Sequence, residues 1–289
     1  MRTCQSVGVS VDISGAIDLH CHFGPDAHRE RSVTALEAAQ QARDAGHAGV
    51  LLKSHTEPTA QLARIVAEAV DGIDVFGGVC CDHEIGGLNP AAIETALRLN
   101  GRVVWMPTLS SRQDVENGVA AQLGIPGPGL AVVDDDGELL PVVHEIAALC
   151  HEHDAVLATG HVSATEHVAL ARSFGARQKV LVTHAMEDLV GPKLSVDELV
   201  ELADLGAWIE LCALTCVGAL ASRPVADLAG AADRVGPARC TLASDYGQAL
   251  NVAPVEGLQQ FADQLAAEGL APDTIRTMVV SNPATLVTR

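Results

Sequence analysis

His20 and His22 stand on either side of a cysteine in AIDLHCHFGPD (16–26), at the end of a short apolar run. Side chains alternate between the two faces of a strand, so His20 and His22 share one face while Leu19 and Cys21 take the other. Two neutral imidazoles one pleat apart can share a divalent cation, although such a pair is also a common loop anchor. Other apolar runs end in the same way. Lys53 and His55 close AGVLLKSH (48–55), His161 closes AVLATGH (155–161), His184 lies in KVLVTHA (179–185) and Asp245 in CTLASDYG (240–247). Random placement of the 12 histidines would favour helices and loops, where His47, His144, His151 and His167 fall. Imidazoles and a carboxylate converging on a cation with an open position suit hydrolysis, because the cation lowers the pKa of a bound water toward neutrality. Asp245 is then both ligand and proton shuttle to the leaving group, and His184 a ligand or a polariser of the substrate oxygen.

Lys53 is the odd member, since an ammonium beside a dication is repelled. Desolvation and repulsion both depress a lysine pKa. A neutral amine can take up carbon dioxide, and the resulting anionic carbamate could bridge two metals.

The elements that must position these residues are legible as alternation. Eight short apolar runs read as buried strands: 16–22, 48–55, 73–80, 101–108, 155–161, 179–185, 207–213 and 240–247. Between them lie alanine-rich segments of helical period. SVTALEAAQQARDAG has Ser32 as a candidate N-cap and Gly46 as a stop, and SVDELVELADLG carries a capping box, Ser195 with Glu198. Eight strand–helix units in about 250 residues are the arithmetic of an α/β fold of the (β/α)8 TIM-barrel type, where strand carboxyl ends converge on one site. A doubly wound sheet is less favoured, because no G-x-G-x-x-G follows a strand. One interval, Ser110 to Pro141, is too long for a simple helix; it reads as an excursion over the barrel top with a hairpin at Asp136-Gly137. The expectation is a single domain over 1–289, with a barrel core of about 16–270 and a helical tail of about 271–289.

The composition fits a large core: 48% of the 289 residues are hydrophobic and 19% charged. The formal charge of −19 repels phosphate backbones and anionic membranes, which argues against nucleic acid and membrane partners. No run is long enough to span a bilayer, and MRTCQSVGVSVDISG lacks the order of an export signal. Eight irregularly spaced cysteines suit reduced thiols, so a cytoplasmic location is expected. A small-molecule substrate and a homo-oligomeric assembly complete the partner expectations.

Several further residues are candidates beside bland alternatives. Arg29 or Arg31 could fork onto a substrate carboxylate. His55 could donate to substrate or support a ligand, and Trp105 could form the pocket wall rather than core. His83 reads better as a solvated loop residue than as a substrate contact. HEHD (151–154) precedes the fifth strand and belongs to the opposite barrel end. Tyr246 follows Asp245 and should face away from it, and Cys212 and Cys216 read as packed thiols.

HxH on strand one, single histidines after strands five and six, an aspartate after strand eight and the closing SNPATL resemble the amidohydrolase superfamily of metal-dependent hydrolases. LLKSHTEPT, GGLNP and VWMPT resemble an uncharacterised bacterial branch of it. The resemblance implies one or two divalent cations, zinc first among them. His20, His22 and Asp245 would hold the more buried one, and His161 and His184 the more exposed one. Many binuclear members place the bridging lysine on strand four, where this chain has VWMPT; Lys53 on strand two would take that role, and two metals are favoured on this reading. In mononuclear relatives the strand-five histidine joins the first three ligands and the strand-six histidine contacts substrate, which would make Lys53 a substrate ligand. The implied reaction is hydrolysis of a small amide, cyclic ones such as lactams or imides first. Lactone or phosphoester hydrolysis and metal-dependent decarboxylation are the alternatives.

Overall fold

The computed structural model describes residues 10–125 and 127–288, so the opening nine residues, on which the reading of no export signal partly rests, lie outside it. Eight parallel strands follow one another in chain order around a barrel: β1 (Ile17–His22), β2 (Gly49–Lys53), β3 (Asp74–Cys80), β4 (Val103–Trp105), β5 (Val156–Ala158), β6 (Val180–Val182), β7 (Trp208–Cys212) and β8 (Cys240–Ala243). The barrel closes between β8 and β1. Asp245 N donates to His20 O at 2.8 Å, and His22 N donates to Tyr246 O at 2.8 Å.

Two apolar layers follow from this closure. Residues such as Leu19, Leu51, Val103, Trp105, Val156 and Leu181 fill the barrel interior, and Leu286 and Val287 of the final helix, Asn282–Val287, pack into the same cluster. Outward residues such as Val50 and Leu52 pack under Ala38, Ala39 and Ala42 of the helix Ala35–Asp44. The chain beyond residue 271 is helical, and Asn282 Nδ2 ties it to the barrel by donating to Pro237 O and Cys240 O, both at 2.7 Å.

The structure corrects three local expectations. Leu19 belongs to the interior cluster although His20 also faces inward, because β1 carries a one-residue bulge: Asp18 pairs with Val50, and Cys21, three residues on, with Leu52. The first long helix is capped by Thr34, not Ser32; the Thr34 side chain accepts from Glu37 N and Glu37 answers onto Thr34 N, a full capping box. Strands five, six and eight stop before the expected ends, where left-handed residues, Gly160 at φ 65°, His184 at φ 27° and Asp245 at φ 53°, turn the chain away from the ladder, and strand four stops at Trp105.

The Ser195–Glu198 capping box is present as read. The excursion holds two short helices, Arg112–Glu116 and Val119–Gln122, and a turn at Asp136-Gly137 between bridged Val133 and Leu139. The cysteines among the described residues are all free and buried. No helix among those residues is long and apolar enough to cross a membrane.

Candidate metal centre

The bulge in β1 sends His20 and His22 into the top of the barrel. His20 Nε2 and His22 Nε2 each lie 3.1 Å from Asp245 Oδ1, and the three side chains offer ligand atoms within 4.8 Å of one another. His20 Nδ1 donates to Glu210 Oε2 at 3.0 Å, which leaves the Nε2 lone pair facing the centre. Lys53 Nζ sits 2.9 Å from that same Nε2 and 5.4 Å above the Trp105 ring, with 1% of the residue exposed.

Five imidazoles form a closed ring around this point. Ring centroids are 5.3 Å apart for His20 and His22, 5.0 Å for His22 and His55, 5.9 Å for His55 and His161, 4.6 Å for His161 and His184, and 5.8 Å for His184 and His20. Burial, reinforced by positive neighbours, holds His20, His22, His55 and His184 well below the usual imidazole range, so these rings are neutral at pH 7. Burial pushes the Asp245 carboxyl well up, opposed by Lys53. His161 Nδ1 donates to Asp114 Oδ2 at 2.6 Å, which leaves Nε2 as the ring nitrogen free of that carboxylate. His161 Nε2, His184 Nε2 and His22 Nδ1 are all buried without a hydrogen-bond partner. A buried polar atom left unpaired costs on the order of 1–3 kcal/mol; the unpaired Nε2 atoms of His161 and His184, with His20 Nε2 and His22 Nε2 beside Asp245 Oδ1, fit a divalent cation.

The backbone is strained where it matters. His184 and Asp245 occupy the left-handed region, which few residues other than glycine adopt without cost. Glu210 supports one of them directly, because Oε2 also accepts from His184 N at 2.9 Å. His55 is held by a relay: the Thr108 hydroxyl donates to Asp82 and accepts from His55 Nδ1 at 2.7 Å.

The remaining sequence candidates divide clearly. Arg29, Arg31 and His55 line the cavity above the imidazoles, a space of about 50 Å³. Trp105 does not line it. With 1% of its surface exposed it lies in the interior core under Lys53, because β4 ends at that residue with its side chain turned into the barrel. His83 bonds to Pro128 O away from the centre, and Tyr246 donates to Val217 O. His151 and Asp154 sit with Trp208 and Arg239, away from the imidazole ring, where Asp154 pairs with Lys179 at 2.8 Å. Burial keeps the Cys212 thiol, beside Glu210 and His20, protonated. Sequence reasoning missed Glu210, Asp114 and Asp82. Glu210 had a visible signal, a lone carboxylate inside the apolar run WIELC; Asp114 had none, since it comes from the excursion.

Solved structures share this architecture at low identity. An amidohydrolase from Pseudomonas aeruginosa superposes with a TM-score of 0.65 at 12% identity, covering 95% of each chain. A metallopeptidase from Rhodobacter sphaeroides, liganded with a phosphinate mimic of the dipeptide L-Ala-D-Ala, gives 0.61 at 15% identity over 96% of this chain and 99% of its own. A 2,6-dihydroxybenzoate decarboxylase from Rhizobium gives 0.59 at 12% identity over 95% and 98%. The chain therefore shares the fold of these proteins. No curated protein matches the sequence. The chain belongs to the family of unknown function DUF6282, whose match spans residues 15–210 and so includes every histidine of the ring but not Asp245.

Proposed function

We propose that this protein is a metal-dependent hydrolase of small amides, with cyclic lactams or imides as the first class to test. The observation that carries the reading is the ring of imidazoles around Asp245, with buried nitrogens that no protein group satisfies. His20, His22 and Asp245 would hold one cation and His161 and His184 a second, with Lys53 between them as a carbamate. A divalent cation there, zinc before others, would make water a nucleophile at neutral pH and polarise the scissile carbonyl.

The chain's own residues supply the rest. Asp245 would take a proton from water and return it to the leaving nitrogen. Glu210 and Asp114 lock His20 and His161 in the tautomer that presents Nε2. The buried setting keeps bulk water from the reacting groups. The free buried thiols support a reducing, cytoplasmic setting, and a homo-oligomer remains part of the reading.

The test is metal content per chain by elemental mass spectrometry, on protein purified without chelator, beside Lys53→Ala and a His20→Ala, His22→Ala double variant. Near two equivalents in wild type, near one in Lys53→Ala and fewer still in the double variant are expected. No metal in folded wild type after reconstitution refutes the reading, and one equivalent indifferent to Lys53→Ala removes the bridge. Carbon dioxide released from an aryl acid without water uptake would replace hydrolysis by decarboxylation.

A further inference from the structure

The chain is strongly acidic, yet the cavity over the imidazole ring is not. Its charged lining is Arg29 and Arg31 against Asp245, with Lys53 cationic as the free amine and anionic as the proposed carbamate. Arg31 is fixed in place: Nε and Nη2 donate to Asp26 Oδ2 at 2.8 and 2.6 Å, and its side chain is 2% exposed. Its third nitrogen, Nη1, is buried with no hydrogen-bond partner. The loop that carries it is anchored across the barrel seam, with Ser32 N donating to Gly247 O at 2.8 Å.

Arg29 reaches the same cavity two residues earlier, and no carboxylate lies within ion-pair distance of it among the described residues. Gln248, the remaining polar wall, is already committed: Nε2 donates to Asp245 O at 2.8 Å, and Oε1 accepts from Asn251 at 3.2 Å. Two guanidiniums therefore line a small space with donors that no group among the described residues accepts at hydrogen-bond distance, Asp26 and Asp245 acting on Arg29 only at longer range.

We infer that Arg29 and Nη1 of Arg31 form an anion subsite beside the metal centre, and that the substrate is a small amide bearing a carboxylate. The inference rests on the hydrolase reading for the amide, and on the arginines alone for the anion. A planar carboxylate suits the fork of a guanidinium, and phosphate, which the same fork accepts, is the competing ligand the test includes.

Isothermal titration of the full chain, metal-stripped and zinc-loaded, with succinate, its neutral diamide succinamide and inorganic phosphate tests this. Because Arg31 also anchors its loop through Asp26, Arg29→Gln is the variant that carries the test, with Arg29→Lys retaining charge without the fork. Succinate should bind both forms and succinamide neither; Arg29→Gln should weaken succinate by about tenfold or more, as expected for a lost charged hydrogen bond. Arg29→Lys should recover part of that loss, and metal content should not change. Equal succinate affinity in wild type and Arg29→Gln, with metal content intact, overturns the subsite and leaves the hydrolase reading standing. Arg29-dependent succinate binding in a chain that takes up no metal supports the subsite while the hydrolase reading fails. Phosphate binding more tightly than succinate, with the same Arg29 dependence, overturns the carboxylate class.

Discussion

Glu210 is the sharpest lever on the centre, because one oxygen does two jobs. Oε2 accepts from His20 Nδ1 at 3.0 Å and from His184 N at 2.9 Å, in a residue with no exposed surface. Glu210→Ala leaves both donors buried and unpaired, at about 1–3 kcal/mol each, so a loss of roughly 2–6 kcal/mol in folding stability is expected. Against a typical total of about 5–15 kcal/mol that is enough to unfold much of the protein. Glu210→Gln separates charge from geometry. Its single amide oxygen can take the place of Oε2 and serve both donors, so the fold should persist. Burial has already pushed the Glu210 carboxyl up to about 7. Its folded pKa exceeds the usual value of 4.5, so it contributes less stability as pH rises through 7. Metal-stripped Glu210→Gln should therefore be at least as stable as wild type above pH 7. Zinc affinity should fall about 10–100-fold, roughly 1.4–2.7 kcal/mol, because His20 loses the anion that makes Nε2 a stronger donor to the cation. Competition with a chromophoric chelator measures the affinity, and thermal unfolding of the stripped protein measures the stability. Zinc affinity within twofold of wild type in a folded Glu210→Gln would refute the argument that this carboxylate tunes the centre.

Two further outcomes are expected. Asp114 uses separate oxygens, Oδ2 for His161 Nδ1 and Oδ1 for Gly191 N at 2.9 Å, so Asp114→Asn cannot serve both donors; metal content should drop toward one equivalent, and unchanged content would show that His161 needs no such support. Buried His167 has a pKa pushed down to about 4, so between pH 6.5 and 4 the unfolded chain takes up its proton and the folded chain does not. Stability from this group is full above 6.5 and is lost as pH falls toward 4. The unfolding free energy of His167→Gln should therefore gain on that of wild type by about 1.4 kcal/mol per pH unit across that window, and parallel urea-unfolding curves would contradict the assignment.

Strand positions were legible because each buried strand is a short apolar run bounded by polar turns. Val103–Trp105 and Val180–Val182 lie inside the segments expected for them. The strand ends were less legible. A run such as KVLVTHA continues past the point where His184 turns left-handed, and hydrophobicity does not report a dihedral angle. His20 and His22 do share a face, but strict alternation would have sent Leu19 outward; the bulge that brings Leu19 and His20 in together depends on pairing with β2. Thr34 displaces Ser32 as cap because both it and Glu37 stand at capping-box spacing, a signal present in the sequence and outweighed by an earlier serine. Asp114 was invisible because its partner His161 is 47 residues away and reached only through tertiary packing.

The seam of the barrel has a consequence for how the chain folds. Asp18 accepts from Ser244 N and Oγ across 226 residues, and Asp245 N reaches back to His20 O at the same place. The two ends of the cation cradle are thus the two ends of the folding problem. A ribosome must deliver almost the whole barrel before the first histidines meet their carboxylate, and contacts so distant in sequence form late and slowly. Until then His20 and His22 belong to an edge strand without its neighbour, open to pairing with other chains. Chaperone demand during synthesis and acquisition of metal competence are, in this architecture, tied to one and the same closure.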